Sequence, residues 1–383
     1  MRKSEVKVDF DDLLIAPKPR TNIASRFGDI DPYYSGNNSP VQLPIMTAPM
    51  DGIANLENLA TFWKSNVTVT LPRTIPYAML HSMYDEPLVD AGMPFPEHTF
   101  ISLGLEDMRE IIDNPDNYDY LIGEYFILDV ANGHMEVVYE TAKEFKEAFP
   151  TTKLMIGNIA NPETYEWYAR SGFVDFVRVG IGNGNMCLTT KQTSIGYPKA
   201  SLIRECHRIK KDLIHEYHHT YFHTDQGSKL QEKLATVPMI VADGGIKDYA
   251  DIIKALAIGA DYVMMGSIFN KALESCAPNM LYGIKISPKF AKWFYEHNFP
   301  IKKKFYGMST KIAQKKMGKK VLKTSEGVVR IQKVEYTLPK WVENFEHYLR
   351  SAMSYSNARN LNEFIGNANM ILITENAFNR FNK

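Results

Sequence analysis

The chain predicts an α/β fold, a (β/α)8 barrel, on three observations. Short apolar runs recur along it, each gives way to polar or glycine punctuation and a segment of helical spacing, and the runs are nearly continuous in apolar residues instead of alternating. Eight runs meet the description: LPIMTAP (43–49), NVTVTLP (66–72), TFISLGL (99–105), YFILDVA (125–131), KLMIGNIA (153–160), FVRVGIG (176–182), MIVADGG (239–245) and YVMMGS (262–267). Between the last two, IKDYADIIKALAIGA carries Ile252, Ile253, Leu256 and Ile258 at the spacing of a short helix that returns the chain to a parallel strand. Continuous apolar strands are buried on both faces, and eight βα units without a break favour a closed barrel. A doubly wound open sheet is the alternative, but the early strand-turn-helix GxGxxG that would begin a dinucleotide-binding sheet of that kind is not found.

No repeat, low-complexity tract or proline-rich linker divides the sequence, which reads as one domain over 1–383 with a C-terminal extension beyond about residue 270. Residues 270–340 are rich in Lys, Gly and Ser with few periodic apolar positions, the mark of a mobile functional loop more than of packed core. The 44 basic and 44 acidic residues cancel, so no overall field favours nucleic acid or an anionic membrane, and an anionic ligand must be held by local groups. Three scattered cysteines, Cys187, Cys206 and Cys276, suit a reducing cytosol better than a disulfide framework. The start, MRKSEVKVDFDDLL, acquires acids before any apolar run and does not read as a signal peptide, and no stretch approaches the ~20 apolar residues of a membrane span.

Barrel enzymes carry their chemistry on the loops after the strands. The sixth run ends in GIGNGNMCLTTKQTSIGYP, where Gly180, Gly182 and Gly184 can turn carbonyls and amides toward a bound ion or phosphate. Cys187 follows at once, beside Thr189 and Thr190, placed like an attacking nucleophile whose thiol pKa local amides can lower. A free cysteine is more often a small buried apolar residue, and that description suits Cys206 in a helical stretch and Cys276 after the last strand. The seventh run ends in Ala242-Asp243-Gly244-Gly245 and the eighth in Gly266-Ser267, where barrels commonly hold a phosphate on exposed amides, and Asp243 could accept from sugar hydroxyls. The fourth ends in Asp129-Val130-Ala131-Asn132-Gly133-His134; Asp129 would orient a cofactor amide or sugar, or simply cap the next helix. A competing motif, His215-Glu216-Tyr217-His218-His219 with His223 beyond it, fits a zinc site with Glu216 as base. It lies in a charged amphipathic stretch and reads better as a solvated helix face.

FDDLLIAPKP near the start, TAPMDGI (47–53), LDVANG (128–133), GIGNGNMCLTT (180–190), GYP (196–198), VADGG (241–245), VMMGSIF (263–269) and FYGMS (305–309) together resemble the IMP dehydrogenase/GMP reductase family, in order and spacing over nearly the whole chain. The resemblance implies that a cysteine attacks C2 of a purine mononucleotide and that hydride passes between C2 and a nicotinamide. By position it makes Cys187 the nucleophile and Thr189 the catalytic threonine, with carbonyls of Gly182, Gly184 and Cys187 on a potassium ion. It assigns the ribose to Asp243, the phosphate to Gly245, Gly266 and Ser267, and the remaining substrate contacts to Gly244, Met50, Tyr306, Gly307, Met308, Ser309, Lys323, Ser325 and Gly327. Asp129, Ala131, Asn132 and Arg73 fall to the cofactor, and the family implies a homotetramer, expected in the cytoplasm on the cysteine usage above.

Two features bear on the branch. Residues 74–124 leave no room for the regulatory CBS pair usual in dehydrogenases, and the flap expected over about 305–335, ahead of an extension at 336–383, has no Arg-Tyr pair to activate water. Instead Ser325-Glu326-Gly327 resembles the SEG of GMP reductases, whose glutamate works with the catalytic threonine in deamination. The expectation is therefore reductive deamination of GMP or a related purine nucleotide with NADPH, or with NADH or NAD. The alternatives are IMP dehydrogenase and an inactive nucleotide-binding barrel. Three departures stand out: Leu71-Pro72-Arg73 where the family has a lysine, an expanded 199–236 link, and Lys323 where an arginine is expected. Guanidinium is a poor proton donor, so Arg73 is a doubtful substitute for that lysine.

Overall fold

The computed structural model describes residues 6–36, 39–75, 98–121, 124–184, 188–221, 227–317 and 327–381. Each of the eight apolar runs contains a strand: β1 (Ile45–Thr47), β2 (Thr70–Leu71), β3 (Phe100–Leu103), β4 (Tyr125–Asp129), β5 (Lys153–Ile159), β6 (Phe176–Val179), β7 (Met239–Asp243) and β8 (Tyr262–Met265). They pair in parallel in the order β1-β8-β7-β6-β5-β4-β3-β2. The Thr47 amide donates to the Thr68 carbonyl at 3.0 Å and the Thr68 amide to Ile45 at 3.2 Å, which bridges β1 to the approach of β2 and closes the ring. Successive residues Leu154, Met155 and Ile156 of β5, and Ile240, Val241 and Ala242 of β7, are all fully buried. Burial on both faces is what parallel strands between a barrel interior and an outer helical layer require.

The outer layer comprises α1 (Leu59–Lys64) after β1, α2 (Leu105–Asp113) after β3, α3 (Glu136–Ala148) after β4 and α4 (Pro162–Ser171) after β5. The expanded link after β6 forms α5 (Lys199–Tyr221) and α6 (Gly227–Ala235), and α7 (Tyr249–Ala257) follows β7. Asp248 caps α7 by accepting from the Asp251 amide at 3.0 Å, and its Ile252, Ile253 and Leu256 are buried as their spacing requires. On α5, Glu216 faces Arg170 of α4 in a two-armed ion pair at 3.1 and 3.3 Å, with both side chains about half exposed. His215, His218 and His219 are exposed beside it, so the stretch is a solvated helix face; His223 lies outside the described residues.

Residues 270–340 depart from the expected loop. They build a four-stranded antiparallel sheet, order β10-β9-β11-β12, from β9 (Asn279–Leu281), β10 (Ile284–Ile286), β11 (Lys302–Tyr306) and β12 (Val329–Lys333). Helix α8 (Pro288–Glu296) packs on it around a small core of Ala291, Ile301 and Val334, and α9 (Lys311–Lys316) follows β11. Strands of three to five residues are too short to show a period-2 pattern, and β11 begins Lys-Lys-Lys, which disguises it. Lys303 is nonetheless buried, its ammonium donating to the Leu273 and Ser275 carbonyls at 2.8 and 2.6 Å and to Ser275 Oγ at 2.8 Å. The arms of the expected 305–335 flap are thus strands of this sheet.

The expected extension at 336–383 carries a long helix. Helix α10 (Leu338–Tyr355) buries Leu338, Trp341, Val342, Phe345, Leu349 and Met353 along one face, and the Trp341 ring stacks on Tyr249 of α7 at 5.0 Å. It is the helix that follows β8 in the barrel layer, delayed in sequence by the antiparallel sheet. Beyond it, Met370–Leu372 pairs antiparallel with Leu13–Ile15, joining the two ends of the chain. Among the described residues no helix is long and apolar enough to cross a membrane.

Candidate active site

A pocket of about 270 Å³ opens at the C-terminal ends of the barrel strands. Met50 enters it after β1, Asp129 and Ala131 from β4, and Gly182, Gly184 and Thr189 from the loop after β6. Asp243, Gly244 and Gly245 after β7 and Gly266 and Ser267 after β8 form the opposite side. Gly307, Met308 and Ser309, just past β11, supply a wall from outside the barrel. These fourteen positions, chosen from sequence, converge on one cavity.

Others do not reach it. The hydroxyl of Tyr306 lies 3.2 Å from Asp51 Oδ2, away from the cavity. Asn132 accepts from the His134 amide at 3.1 Å, and Arg73 stands behind Asp129. Gly327 closes on the pocket wall indirectly: a Cβ there would lie 2.8 Å from Ser309 Oγ. Cys187, Lys323, Ser325 and Glu326 lie outside the described residues. The other two cysteines contrast with a nucleophile. Cys206 is fully buried on α5, where burial pushes its thiol well up, and the Cys276 thiol is pushed up to about 12, again by burial, while its Sγ donates to the Asp51 carbonyl.

Under the pocket runs a line of alternating charges. Arg178 of β6 donates through Nη1 to Asp129 Oδ1 at 2.7 Å and through Nη2 to Asp243 Oδ2 at 3.0 Å, with its side chain 7% exposed. Arg73 brings Nε to 3.0 Å from Asp129 Oδ2, close enough for an ion pair but not aligned as a hydrogen bond. Asn158 of β5 donates from Nδ2 both to Asp243 Oδ2 and to the Gly180 carbonyl, each at 2.8 Å. Burial works to raise the Asp129 carboxyl; Arg178 and then Arg73 outweigh it and hold it below the usual carboxylate range. Burial likewise works against the Arg178 cation, and Asp243 and Asp129 keep it charged. Asp129 therefore does not cap α3, and both its oxygens face arginines. Asp243 differs: Oδ2 is committed, while Oδ1 carries no hydrogen bond among the described residues.

A second buried cation braces the loops from beneath. Lys199 at the start of α5 donates from Nζ to the carbonyls of Val179, at 3.1 Å, and Asp243, so one ammonium ties the end of β6 to the end of β7. Burial lowers its pKa to about 8. It also explains Gly180: with φ at 136°, a Cβ there would sit 1.8 Å from Nζ, which leaves only glycine. His134 is spent on structure. Its Nε2 accepts from the Ala160 amide at 3.0 Å, so the proton sits on Nδ1 and is donated to Thr164 Oγ1 at 2.8 Å; burial lowers its pKa and favours that neutral ring.

Reading the sequence missed Asn158, Arg178 and Lys199. For the first two a signal existed, a polar or charged residue interrupting an otherwise apolar run: the Asn of KLMIGNIA and the Arg of FVRVGIG. Such a residue in a strand buried on both faces must find a partner, and in a barrel the partners cluster at the strand ends.

Comparison with known proteins agrees with this arrangement. A family model described as the IMP dehydrogenase / GMP reductase domain matches residues 122–381. The chain is 29% identical to a GMP reductase of Caenorhabditis elegans over 97% of its own length and 94% of the relative's. It is 29% identical to GMP reductase 1 of Mus musculus and 27% to GMP reductase 2 of Homo sapiens, covering 97% of this chain and 96% of each relative. With the barrel, the rim pocket and a family match spanning most of the sequence, the chain belongs to the IMP dehydrogenase/GMP reductase family.

Proposed function

We propose that the protein is a GMP reductase-like oxidoreductase that converts GMP, or a closely related purine mononucleotide, to the deaminated nucleotide and ammonia with NADPH. The observation that carries this is the convergence on one cavity of the glycine loops after β6, β7 and β8 with the Gly307–Ser309 wall. The GMP reductase relatives, matched nearly end to end, favour this branch over the dehydrogenase.

In this reading the phosphate lies against the amides of Gly244, Gly245, Gly266 and Ser267, a cradle in which the φ of 77° at Gly245 and the nearness of Asn183 leave no room for a side chain. The ribose hydroxyls donate to Asp243 Oδ1, since Oδ2 is already taken. Met50 and Met308 flank the base. Cys187 Sγ bonds to C2 of the purine, and the bond from C2 to the exocyclic nitrogen breaks. Thr189 and Glu326 deliver the proton with which that nitrogen leaves as ammonia. Bound NADPH supplies the hydride that C2 then takes up. The carbon–sulfur bond breaks last, returning the thiolate and releasing the hypoxanthine nucleotide.

The cofactor end of the pocket fits a flat nicotinamide ring by its chemistry: Ala131 presents only a methyl group there, and Arg73, behind Asp129, holds that carboxylate in place. Asp129, though paired, keeps lone pairs for a carboxamide. The loop after β6 also suits a potassium ion, because Asn183 Oδ1 is buried there with no hydrogen-bond partner and Gly182 takes a φ of 79°. Carbonyls of Gly182, Gly184 and Cys187 would hold the ion, which would brace the loop that carries the nucleophile. A cytoplasmic homotetramer completes the reading, and sedimentation of the purified protein tests the assembly.

The direct experiment mixes purified protein with GMP and NADPH. Loss of reduced-nicotinamide absorbance with stoichiometric ammonia is the expected result, and Cys187→Ala should lower the rate on the order of 10⁴-fold or more, as removal of a covalent nucleophile does. Turnover of IMP with NAD, and none of GMP, would place the enzyme in the dehydrogenase branch.

A further inference from the structure

Asp51 stands next to the pocket without lining it, and it bears the most connected carboxylate at the rim. Its side chain is only 2% exposed. Oδ1 accepts from Thr74 Oγ1, and Oδ2 lies 3.2 Å from the Tyr306 hydroxyl and 3.2 Å from Lys316 Nζ. Its backbone carbonyl accepts from Cys276 Sγ at 3.1 Å.

Each of these partners adjoins a different part of the site. Thr74 follows Arg73, which pairs with Asp129. Tyr306 immediately precedes Gly307, Met308 and Ser309, the wall supplied from outside the barrel. Lys316 ends α9, whose other end is tied to the same wall: Thr310 caps it, and Gln314 Nε2 donates to the Ser309 carbonyl at 2.9 Å. Asp51 itself follows Met50, whose sulfur would lie 3.1 Å from a Cβ on Gly266 in the phosphate loop. The antiparallel sheet has a small core of its own and joins the barrel core through Phe305 of β11, just ahead of that wall.

We infer that Asp51 is a positioning residue, a carboxylate latch that holds the Gly307–Ser309 wall and α9 against the barrel rim and so sets the width of the nucleotide pocket. This rests on the function proposed above for that pocket. A carboxylate that only stabilised the fold would need Thr74 and Tyr306 but not Lys316, whose side chain is 52% exposed. Lys316 is therefore where the two roles separate. Removing a half-exposed ion pair changes stability little, yet it would release α9 from the rim.

The test compares wild type with Lys316→Met, Lys316→Arg and Asp51→Asn. Three measurements are made on each: thermal unfolding, amide hydrogen exchange across residues 307–317, and steady-state turnover of GMP with NADPH. Lys316→Met should melt with wild type, lose exchange protection across 307–317, and raise KM for the nucleotide about two- to fivefold, the scale of one exposed ion pair, with kcat less affected. Lys316→Arg should restore both protection and KM, and Asp51→Asn should show the larger KM effect. Exchange and KM unchanged from wild type in Lys316→Met would overturn the latch, as would equal losses in the Met and Arg variants. If wild type turns over no GMP, the proposed function fails while the exchange comparison still decides the latch.

Discussion

The floor and the outer wall of the pocket are built on opposite principles. The floor is made of strand ends whose charged groups are sunk in the barrel: Arg178 between Asp129 and Asp243, Asn158 on Asp243, and Lys199 beneath both loops. The wall stands on a sheet of short strands with a three-residue core of its own, joined to the barrel through Phe305 and, at the rim, through Asp51 with Tyr306 and a half-exposed lysine. In the floor each charge has a fixed, largely buried partner, so position and stability are inseparable. In the wall, shape can change while the barrel stays folded. Under the proposed function, a site that holds a phosphate and ribose rigidly and still admits a second ligand would gain from that division.

Arg178→Met breaks the floor and carries the largest stability effect. It leaves the Asp129 and Asp243 carboxylates without their shared guanidinium and should cost about 3–5 kcal/mol, the scale for removing one partner of a buried ion pair. Urea midpoints read it, and a loss under 1 kcal/mol (about the value of an exposed pair) would show the floor to be no more rigid than the wall.

Lys303 tests the base of the wall through pH. Burial holds its pKa down at about 7 against an ordinary 10.5, so between those values the unfolded chain binds the extra proton and wild-type stability rises with pH. Lys303→Met removes that slope. Its stability relative to wild type should be greatest near pH 7 and decline toward 10.5, and a difference that stays flat across this window would mean the buried ammonium is fully compensated by its three acceptors.

The smallest effect is expected far from both regions. Glu216→Gln removes a half-exposed pair with Arg170 and should shift stability by less than about 1 kcal/mol without altering turnover. A zinc-dependent fall in rate on making this change would revive the metal reading of the His215–His219 stretch.

Much of this is legible in the sequence. The eight barrel strands were legible because a parallel strand buried on both faces leaves an unbroken apolar run, and the pocket loops because close approach of backbone to a ligand leaves glycine behind. Gly245 and Gly266 therefore stood out in isolation, as did Asp243 beside them. The sheet over 279–333 did not, because strands of three to five residues carry too few positions to establish a period and one buried lysine hid among exposed ones. Helix α10 has a regular apolar face, but the sheet that separates it from β8 hid its place in the barrel.

Residue types and local spacing settled which segments are the barrel strands and marked the glycine-rich turns that line the pocket. They could not settle which charges neutralise one another. Arg178 meets Asp129 across 49 residues and Asp243 across 65, and Asp51 meets Tyr306 across 255. Those distances collapse only when the ring of strands closes and the late sheet folds back over its rim. Ion pairing falls off within a few ångströms, so it is a property of closure and leaves no mark in local sequence.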